Sequence, residues 1–167
     1  MDIEIDMSAL ERFLTEFPKA TGIVDDELRD AMDAGLIALE TVAVDETPVG
    51  ATGNARQSIQ RVVEGQSAGL EGRLVMGAPY GLPLEDGRKA GKWPPRAAIA
   101  VWVRRKLQVP PDRVESVAFL IQRAIGTRGT RPGARMFATA FERQQGTVIR
   151  LFEAVPGRAV LRLAGEL

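Results

Sequence analysis

The side chains of this 167-residue sequence that could perform chemistry are chiefly carboxylates. One group of them lies within nine residues: Asp25, Asp26, Asp30 and Asp33. Carboxylate oxygens are the ligands that magnesium prefers, so the group could in principle hold this ion. The positive end of a helix dipole also favours acidic residues in its first turns. We therefore interpret the group as a solvated helix start rather than as a metal site.

Other catalytic constellations are limited by composition, because the chain contains neither cysteine nor histidine. Without cysteine there can be no disulfide framework and no thiolate zinc site. Without histidine there is no imidazole general base and no catalytic triad of the usual kind. We predict that the protein is not an enzyme and uses no cofactor and no metal.

Length and hydropathy predict a single domain over residues 1–167, since 45% apolar residues can bury one substantial core. No run approaches the roughly 20 apolar residues of a membrane span. The acidic start of the chain lacks the basic and apolar regions of a signal peptide. We expect synthesis in a cytoplasm and no membrane partner.

The net charge of zero conceals a division along the chain. Residues 1–87 contain 17 acidic and 6 basic side chains, a net charge of −11, whereas residues 88–167 contain 5 and 16, a net charge of +11. Two interpretations stay open. Either the halves fold against each other and partly cancel their charges, or they form complementary faces that stack subunits.

The elements that must position these charges begin with a short strand at residues 3–6 and a short helix from about Ala9 to Phe17. Ser8 and Glu11 predict a capping box for that helix. A long helix follows from about Asp25 to Glu46. Its apolar stripe comprises Leu28, Met32, Gly35, Leu36, Leu39, Val42 and Ala43, and its opposite face holds Asp26, Asp30, Asp33 and Glu40.

Thr47 and Pro48 end this helix, because the residue before a proline avoids the helical conformation. A β-hairpin follows, with a strand at residues 58–64, a turn at 65–69 and an alternating strand at 70–76. Residues 78–95 predict an exposed Gly/Pro-rich loop, and residues 96–167 a C-terminal helical region. Within that region, Asp112 and Glu115 predict a second capping box, and Gly126 predicts the end of its helix. The fold class is therefore α+β, a small antiparallel sheet with a β-hairpin packed against a long amphipathic helix and further C-terminal helices.

Short motifs in this order give the chain a resemblance to a known family. They are Thr47-Pro48, Thr52-Gly53-Asn54-Ala55-Arg56-Gln57-Ser58-Ile59, Ala78-Pro79-Tyr80 with Leu84-Glu85-Asp86-Gly87, and Arg128-Gly129-Thr130 ahead of Phe137. The chain resembles the neck and tail-completion proteins of tailed bacteriophages, also called gene-product-ten-like head-tail joining proteins. Ala55, Gly81 and Arg88 stand where that family usually has other residues.

The resemblance implies a structural virion protein of the head-tail junction, made in the host cytoplasm. Such a protein forms a homo-oligomeric ring, with a hexamer favoured and a dodecamer possible, that joins the connector to the tail. Its implied partners are connector or head-completion proteins, tail tube or terminator proteins, and DNA that passes through the lumen without sequence-specific contact. A neck position and a tail-terminator position both stay open, as do a phage and a related tail-like particle.

A ring built head to tail needs two different, complementary faces on each subunit. The candidate interface residues are Asp26, Asp30, Asp33, Trp93, Arg128, Arg131 and Arg135. The arginines could face the lumen or pair with the acidic helix of a neighbouring subunit, and we favour the pairing. Trp93 could anchor a neighbour or cover the core of its own chain.

An alternative function uses the basic second half of the chain. That half could make the protein a sequence-nonspecific nucleic-acid-binding protein, whose affinity would fall steeply with salt. The equally acidic first half speaks against this function, because it would repel the same polymer.

Overall fold

A computed structural model of the chain describes residues 7, 20–66, 69–130 and 132–165. These residues form a mixed α+β fold of helices and one two-stranded antiparallel sheet, which confirms the predicted fold class. The strand predicted at residues 3–6, the helix predicted from Ala9 to Phe17 and the capping box of Ser8 and Glu11 lie outside the described residues.

The described elements are the following. Helices are α1 (Thr21–Glu46), α2 (Asn54–Gln57), α3 (Gly81–Asp86), α4 (Arg96–Lys106), α5 (Val114–Arg128), α6 (Met136–Glu153) and α7 (Val155–Gly165), and a 3₁₀ turn (Pro111–Arg113) precedes α5. The strands β1 (Ile59–Glu64) and β2 (Glu71–Met76) form the hairpin. None of the helices that the structure describes is both long enough and apolar enough to cross a membrane.

The chain divides into two compact units. The first, the acidic unit, comprises Met1–Ala43, Gln60–Val75 and Phe137–Leu167, with 16 acidic and 9 basic residues and a net charge of −7. The second, the basic unit, comprises Val44–Ile59 and Met76–Met136, with 6 acidic and 13 basic residues and a net charge of +7. The single domain expected from chain length stays a prediction, since this division does not decide whether the units fold together.

Helix α1 organises the core of the acidic unit. Its buried residues Val24, Leu28 and Ala31 recur at helical spacing and pack with Val155 and Ala159 of α7. The predicted start near Asp25 is wrong by about one turn, because α1 begins at Thr21. The earlier start places Val24 on the buried stripe of the helix.

The hairpin packs against the same helix. Gly72 of β2 lies so close to the side chains of Met32 and Leu36 that a methyl group there would collide with Met32. Exposure alternates along β2, with Glu71 and Arg73 exposed and Gly72 and Leu74 partly buried. The alternation of residue types that predicted this strand therefore matches the alternation of exposed and partly buried side chains along it.

Ion pairs attach α7 to the start of α1. Arg158 Nε donates to Glu27 Oε2 at 2.7 Å, and Arg162 lies 3.3 Å from Glu27 Oε1 and 3.5 Å from Asp26 Oδ2. The hydrogen bond from Arg158, followed by the charges of both arginines, lowers the pKa of Glu27 below its usual value. Glu27 is the more buried partner, with 12% of its side chain exposed.

Replacing Glu27 should therefore weaken the acidic unit in a pH-dependent way. We expect Glu27→Gln to lower the free energy of unfolding by about 1 kcal/mol at neutral pH, allowing for the solvent exposure of Arg158. Because the folded pKa is lowered, the contribution of Glu27 is present above the usual value of 4.5 and is lost as the pH falls through the folded value. Urea denaturation across this range measures the difference.

The control for this prediction is Glu153→Gln, which removes an exposed carboxylate of α6. It should leave the unfolding free energy nearly unchanged at every pH. A Glu27→Gln deficit that stays constant into the acidic range would contradict the proposed ionic origin.

The basic unit has a separate core between α4 and α5. Ile99, Ala100 and Val103 pack there against Val114 and Ala118. The capping box predicted from Asp112 and Glu115 is absent from this described segment, because the 3₁₀ turn precedes α5 and no side chain caps the helix. The helix also continues past Gly126 to Arg128 and ends at Gly129, which has the left-handed φ of 76°.

The predicted exposed loop at residues 78–95 is partly ordered by other segments. Residues 81–86 form helix α3, and the backbone of residues 84–91 bonds to residues 126–135. Residues 89–93 are exposed, as expected. Helix α3 could not be predicted from periodicity, because a helix of six residues is too short to show a periodic pattern.

Candidate subunit interface

The first candidate face is the exposed side of α1 in the acidic unit. Asp26, Asp30 and Asp33 are all exposed, and their spacing of four and three residues places them on one stripe. Asp26 lies 3.5 Å from Arg162 of its own chain. No basic side chain among the described residues forms an ion pair with Asp30 or Asp33. These two charges are available to a partner.

The same stripe continues to an apolar residue that the sequence interpretation missed. Ile37 follows Asp33 by four residues, and 49% of its surface is exposed. The positions 26, 30, 33 and 37 have the spacing of one helical face, so this spacing could have identified Ile37 from the sequence. The acidic face of α1 is therefore not purely polar.

The second candidate face is built on two segments of the basic unit that pair through their backbones. Arg88 and Thr130 exchange hydrogen bonds in both directions, with Thr130 N donating to Arg88 O at 2.9 Å. Ala134 N donates to Leu84 O and Gly91 N donates to Gly126 O, each at 2.8 Å. We call residues 84–91 and 126–135 the paired segments.

Glycines permit this close approach. A side chain on Gly129 would strike the backbone carbonyl of Arg88, and one on Gly133 would strike that of Glu85. Gly87 and Gly129 both have a φ of 76°, which L-residues adopt rarely. The motif residues Glu85, Gly87, Gly129 and Thr130 thus hold the basic unit together through the main chain.

The paired segments bring basic side chains together. Arg88, Lys89 and Arg128 lie on them and Lys92 directly follows the first segment. Within the described part of the chain none of the four forms an ion pair with a carboxylate. Arg135 also lies here, with its backbone N donating to Glu85 O at 3.1 Å. Arg131 lies outside the described residues. We call Arg88, Lys89, Lys92 and Arg128 the basic cluster.

The side chain of Trp93 packs against helix α5 beside the basic cluster. Its indole covers Gly126 so closely that a Cβ atom there would lie 2.7 Å from the ring. Half of the residue, 50%, is nevertheless exposed. Trp93 therefore covers part of its own unit and still offers aromatic surface to a partner.

The residues after Trp93 continue along the same face of α5. Gln122 Nε2 donates to Pro94 O at 2.8 Å, and the Arg96 guanidinium lies 5.4 Å from the centre of the Phe119 ring. The second contact is a cation–π interaction, which the sequence did not reveal because it joins different elements. Phe119 is 41% exposed.

The remaining motif residues connect α1 to the hairpin. Thr47 is fully buried and its hydroxyl lies 3.2 Å from Met136 Sδ. Ser58 Oγ donates to Ala55 O at 2.9 Å and accepts from Ala78 N at 3.2 Å. Gly53 precedes α2 with a φ of 71°. These contacts indicate a structural role.

Three motif residues lie nearer the surface. Thr52 Oγ1 accepts from Asn54 N at 3.4 Å, Pro48 is exposed after α1, and Tyr80 directly precedes α3 with 44% of its surface exposed. Of this group, Tyr80 offers the largest exposed side chain.

Arg56 closes the C-terminus of α1. Its Nε donates to Thr47 O at 2.7 Å and a terminal nitrogen donates to Asp45 O at 3.1 Å. The last carbonyls of a helix lack partners within the helix, and the negative end of the helix dipole favours a cation there. The planar guanidinium can reach both carbonyls at once.

We expect Arg56→Ala to lower the free energy of unfolding by about 1–2 kcal/mol through the loss of both charged hydrogen bonds. Arg56→Lys should recover only part of this loss, since the compact ammonium group cannot reproduce the two parallel donors of the planar guanidinium. Urea denaturation followed by circular dichroism measures both. Arg104→Ala, which removes an exposed arginine of α4, should have little effect, and equal losses in the two alanine variants would contradict the capping role.

The structure thus groups the candidate interface residues into two sets. Asp26, Asp30 and Asp33 lie in the acidic unit, and Trp93, Arg128 and Arg135 in the basic unit. Within the described residues, no group of acidic side chains could hold a metal ion. Comparison of the chain with protein-family models, curated proteins and solved structures found no match.

Proposed function

We propose that the protein is a structural subunit that assembles head to tail with copies of itself into a closed ring. The observation that carries this proposal is the division of the chain into compact units with net charges of −7 and +7. A heterologous contact joins two different faces, so opposite charges meet at every interface of the ring. A two-fold contact of either unit with its own copy would instead bring like charges together.

The strength of such contacts comes from several charges acting together. An exposed ion pair contributes only about 0.2–1 kcal/mol. Asp30 and Asp33 on one face and the basic cluster on the other supply several charges without described ion-pair partners. Exposed charges are screened over about 8 Å at physiological salt, so assembly should weaken as salt rises.

The place of the ring is proposed from the family resemblance. A subunit of this kind would lie at the head-tail junction of a tailed phage or a related particle, between the connector and the tail. DNA would pass through the lumen without sequence-specific contact. The basic cluster would then face a neighbouring subunit rather than the lumen, since a strongly basic channel would retain DNA that must slide.

Negative-stain electron microscopy of the purified protein at low salt tests the ring directly. We expect closed rings of uniform diameter, with a subunit count that native mass spectrometry supplies. Dimers with two-fold symmetry, or particles of a single subunit at every concentration and on added connector, would contradict the proposal.

Reversing one charge on α1 tests the electrostatic contribution. We expect Asp33→Lys to reduce the multimeric fraction in analytical ultracentrifugation, because it places a cation against the basic unit of the neighbouring copy. Glu153→Lys is the matched control, as it makes the same change in net charge at an exposed site of the same unit on a different helix, α6. Equal loss of multimer in both variants would indicate a dependence on net charge alone.

A second candidate function is sequence-nonspecific nucleic-acid binding, favoured by the basic cluster beside the exposed ring of Trp93. Cations track a phosphate backbone, and aromatic rings stack on bases. Fluorescence anisotropy with a labelled oligonucleotide distinguishes it. Micromolar binding that falls steeply with salt, in a protein that stays monomeric, would support this function over ring assembly.

A further inference from the structure

Two helical stripes in this chain have matching spacing, and each carries an exposed apolar side chain, Ile37 on α1 and Phe119 on α5. The row on α1 consists of Asp26, Asp30, Asp33 and Ile37, whose successive spacings are four, three and four residues. On α5, Glu115, Phe119, Gln122 and Gly126 have the same spacing. Each set therefore forms one straight row along its helix.

The α1 row ends in an exposed apolar side chain. Ile37 is 49% exposed at the end of a row of carboxylates. Contact with a partner would remove its apolar surface from water, which lowers the free energy. The residues that precede it on the row, Asp33 and Asp30, have no described ion-pair partner.

The α5 row offers the complementary features. Phe119 is 41% exposed with Arg96 over its ring, and the Trp93 indole covers Gly126 two turns further on. Arg123, exposed and without a described carboxylate partner, lies one turn after Phe119. Lys92 adjoins Trp93 and is also exposed. Aromatic surface and positive charge are thus adjacent on this row.

We infer that α1 of one copy docks antiparallel on α5 of the next copy, with Ile37 against Phe119. In this register Asp33 faces Arg123, because each lies four residues, about 6 Å, from the apolar contact. Asp30 and Gly126 each lie seven residues, about 10.5 Å, from it, so Asp30 faces the Trp93 and Lys92 end of the row. This inference rests on the proposed self-assembly and names its contact.

The antiparallel direction is selected by charge. If α1 instead ran parallel to α5 with the same Ile37–Phe119 contact, Asp33 would lie opposite Glu115. Two carboxylates would then face each other, and Arg96, which lies 3.4 Å from Glu115, is already paired with that carboxylate, so the arrangement has a cost in binding. Only the antiparallel arrangement places cations without a described carboxylate partner, Arg123 and Lys92, opposite Asp33 and Asp30.

The occupant is a second copy because both halves of the match occur in this chain, and Ile37 and Phe119, the residues proposed to meet, are both exposed. The row on α1 belongs to the acidic unit, and the row on α5 belongs to the basic unit. One contact of this kind uses one row from each of two copies and leaves the other row of each copy available. Repetition of the contact therefore continues the assembly, as a ring requires.

Cysteine cross-linking tests the contact without background, since the natural chain has no cysteine. One variant is Ile37→Cys and the other is Phe119→Cys, the latter lengthened by a tag so that a mixed product is recognised by size. Mixed at a concentration where light scattering detects multimers, they should form a mixed disulfide on mild oxidation. A disulfide needs Cα atoms within about 7 Å, so the product reports direct apposition.

Ile149→Cys replaces Ile37→Cys as the matched control, because it changes the same residue type at an exposed position of the same unit. The mixed product with Phe119→Cys should be several-fold more abundant for Ile37→Cys than for this control. The direction is tested with Asp33→Cys, which should cross-link to Arg123→Cys in preference to Glu115→Cys. Preference for Glu115→Cys would overturn the antiparallel register.

The remaining outcomes separate this contact from the assembly itself. Multimers without the mixed disulfide above the control level would overturn the α1–α5 contact and leave ring assembly standing. Disulfides formed by either single variant alone in place of the mixed product would indicate a two-fold contact and overturn both. A monomer at every concentration would likewise overturn both.

Discussion

The separation of charge between two compact units is the constraint on which the rest of this account depends. Within the acidic unit, several carboxylates are balanced internally, as with Glu27 against Arg158 and Glu40 against Arg61. Asp30 and Asp33 are not balanced by any described side chain. In the basic unit, the basic cluster is also without described ion-pair partners. Like charges so concentrated repel one another, and association with the opposite unit of another copy relieves that repulsion.

The basic cluster exists because of main-chain geometry rather than helix amphipathicity. Gly129 and Gly133 allow residues 126–135 to approach residues 84–91 closely enough for direct hydrogen bonds. Both segments carry arginine or lysine, so their pairing brings cations together. The short motifs that give the chain its family resemblance are largely explained in the same way. Arg56, Ser58 and Gly129 hold the fold, and among the residues proposed for partner contacts only Arg128 belongs to those motifs.

Periodic features could be predicted from the sequence. The apolar stripe predicted α1, Thr47-Pro48 predicted its end at Glu46, and the alternation along β2 predicted a half-buried strand, because all three signals are local. The paired segments could not be predicted, since hydrogen bonds between main-chain groups some 40 residues apart depend weakly on side-chain type. Gly126 predicted a helix end. It instead lies within α5, where the absence of a side chain leaves room for the Trp93 ring to pack against the helix. The acidic part of the candidate interface could be predicted from the sequence. Phe119 could not be identified as an interface residue, because its proximity to Arg96 and Trp93 depends on the fold.

The measurement that tests the central claim most directly is the solution mass of the unmodified protein by static light scattering across a salt series. Assembly through opposite charges predicts a discrete multimer at low salt, which loses mass as salt screens the contacts. A monomer at low salt, or a multimer whose mass is indifferent to salt, would contradict the claim that complementary charge on the two units holds the subunits together.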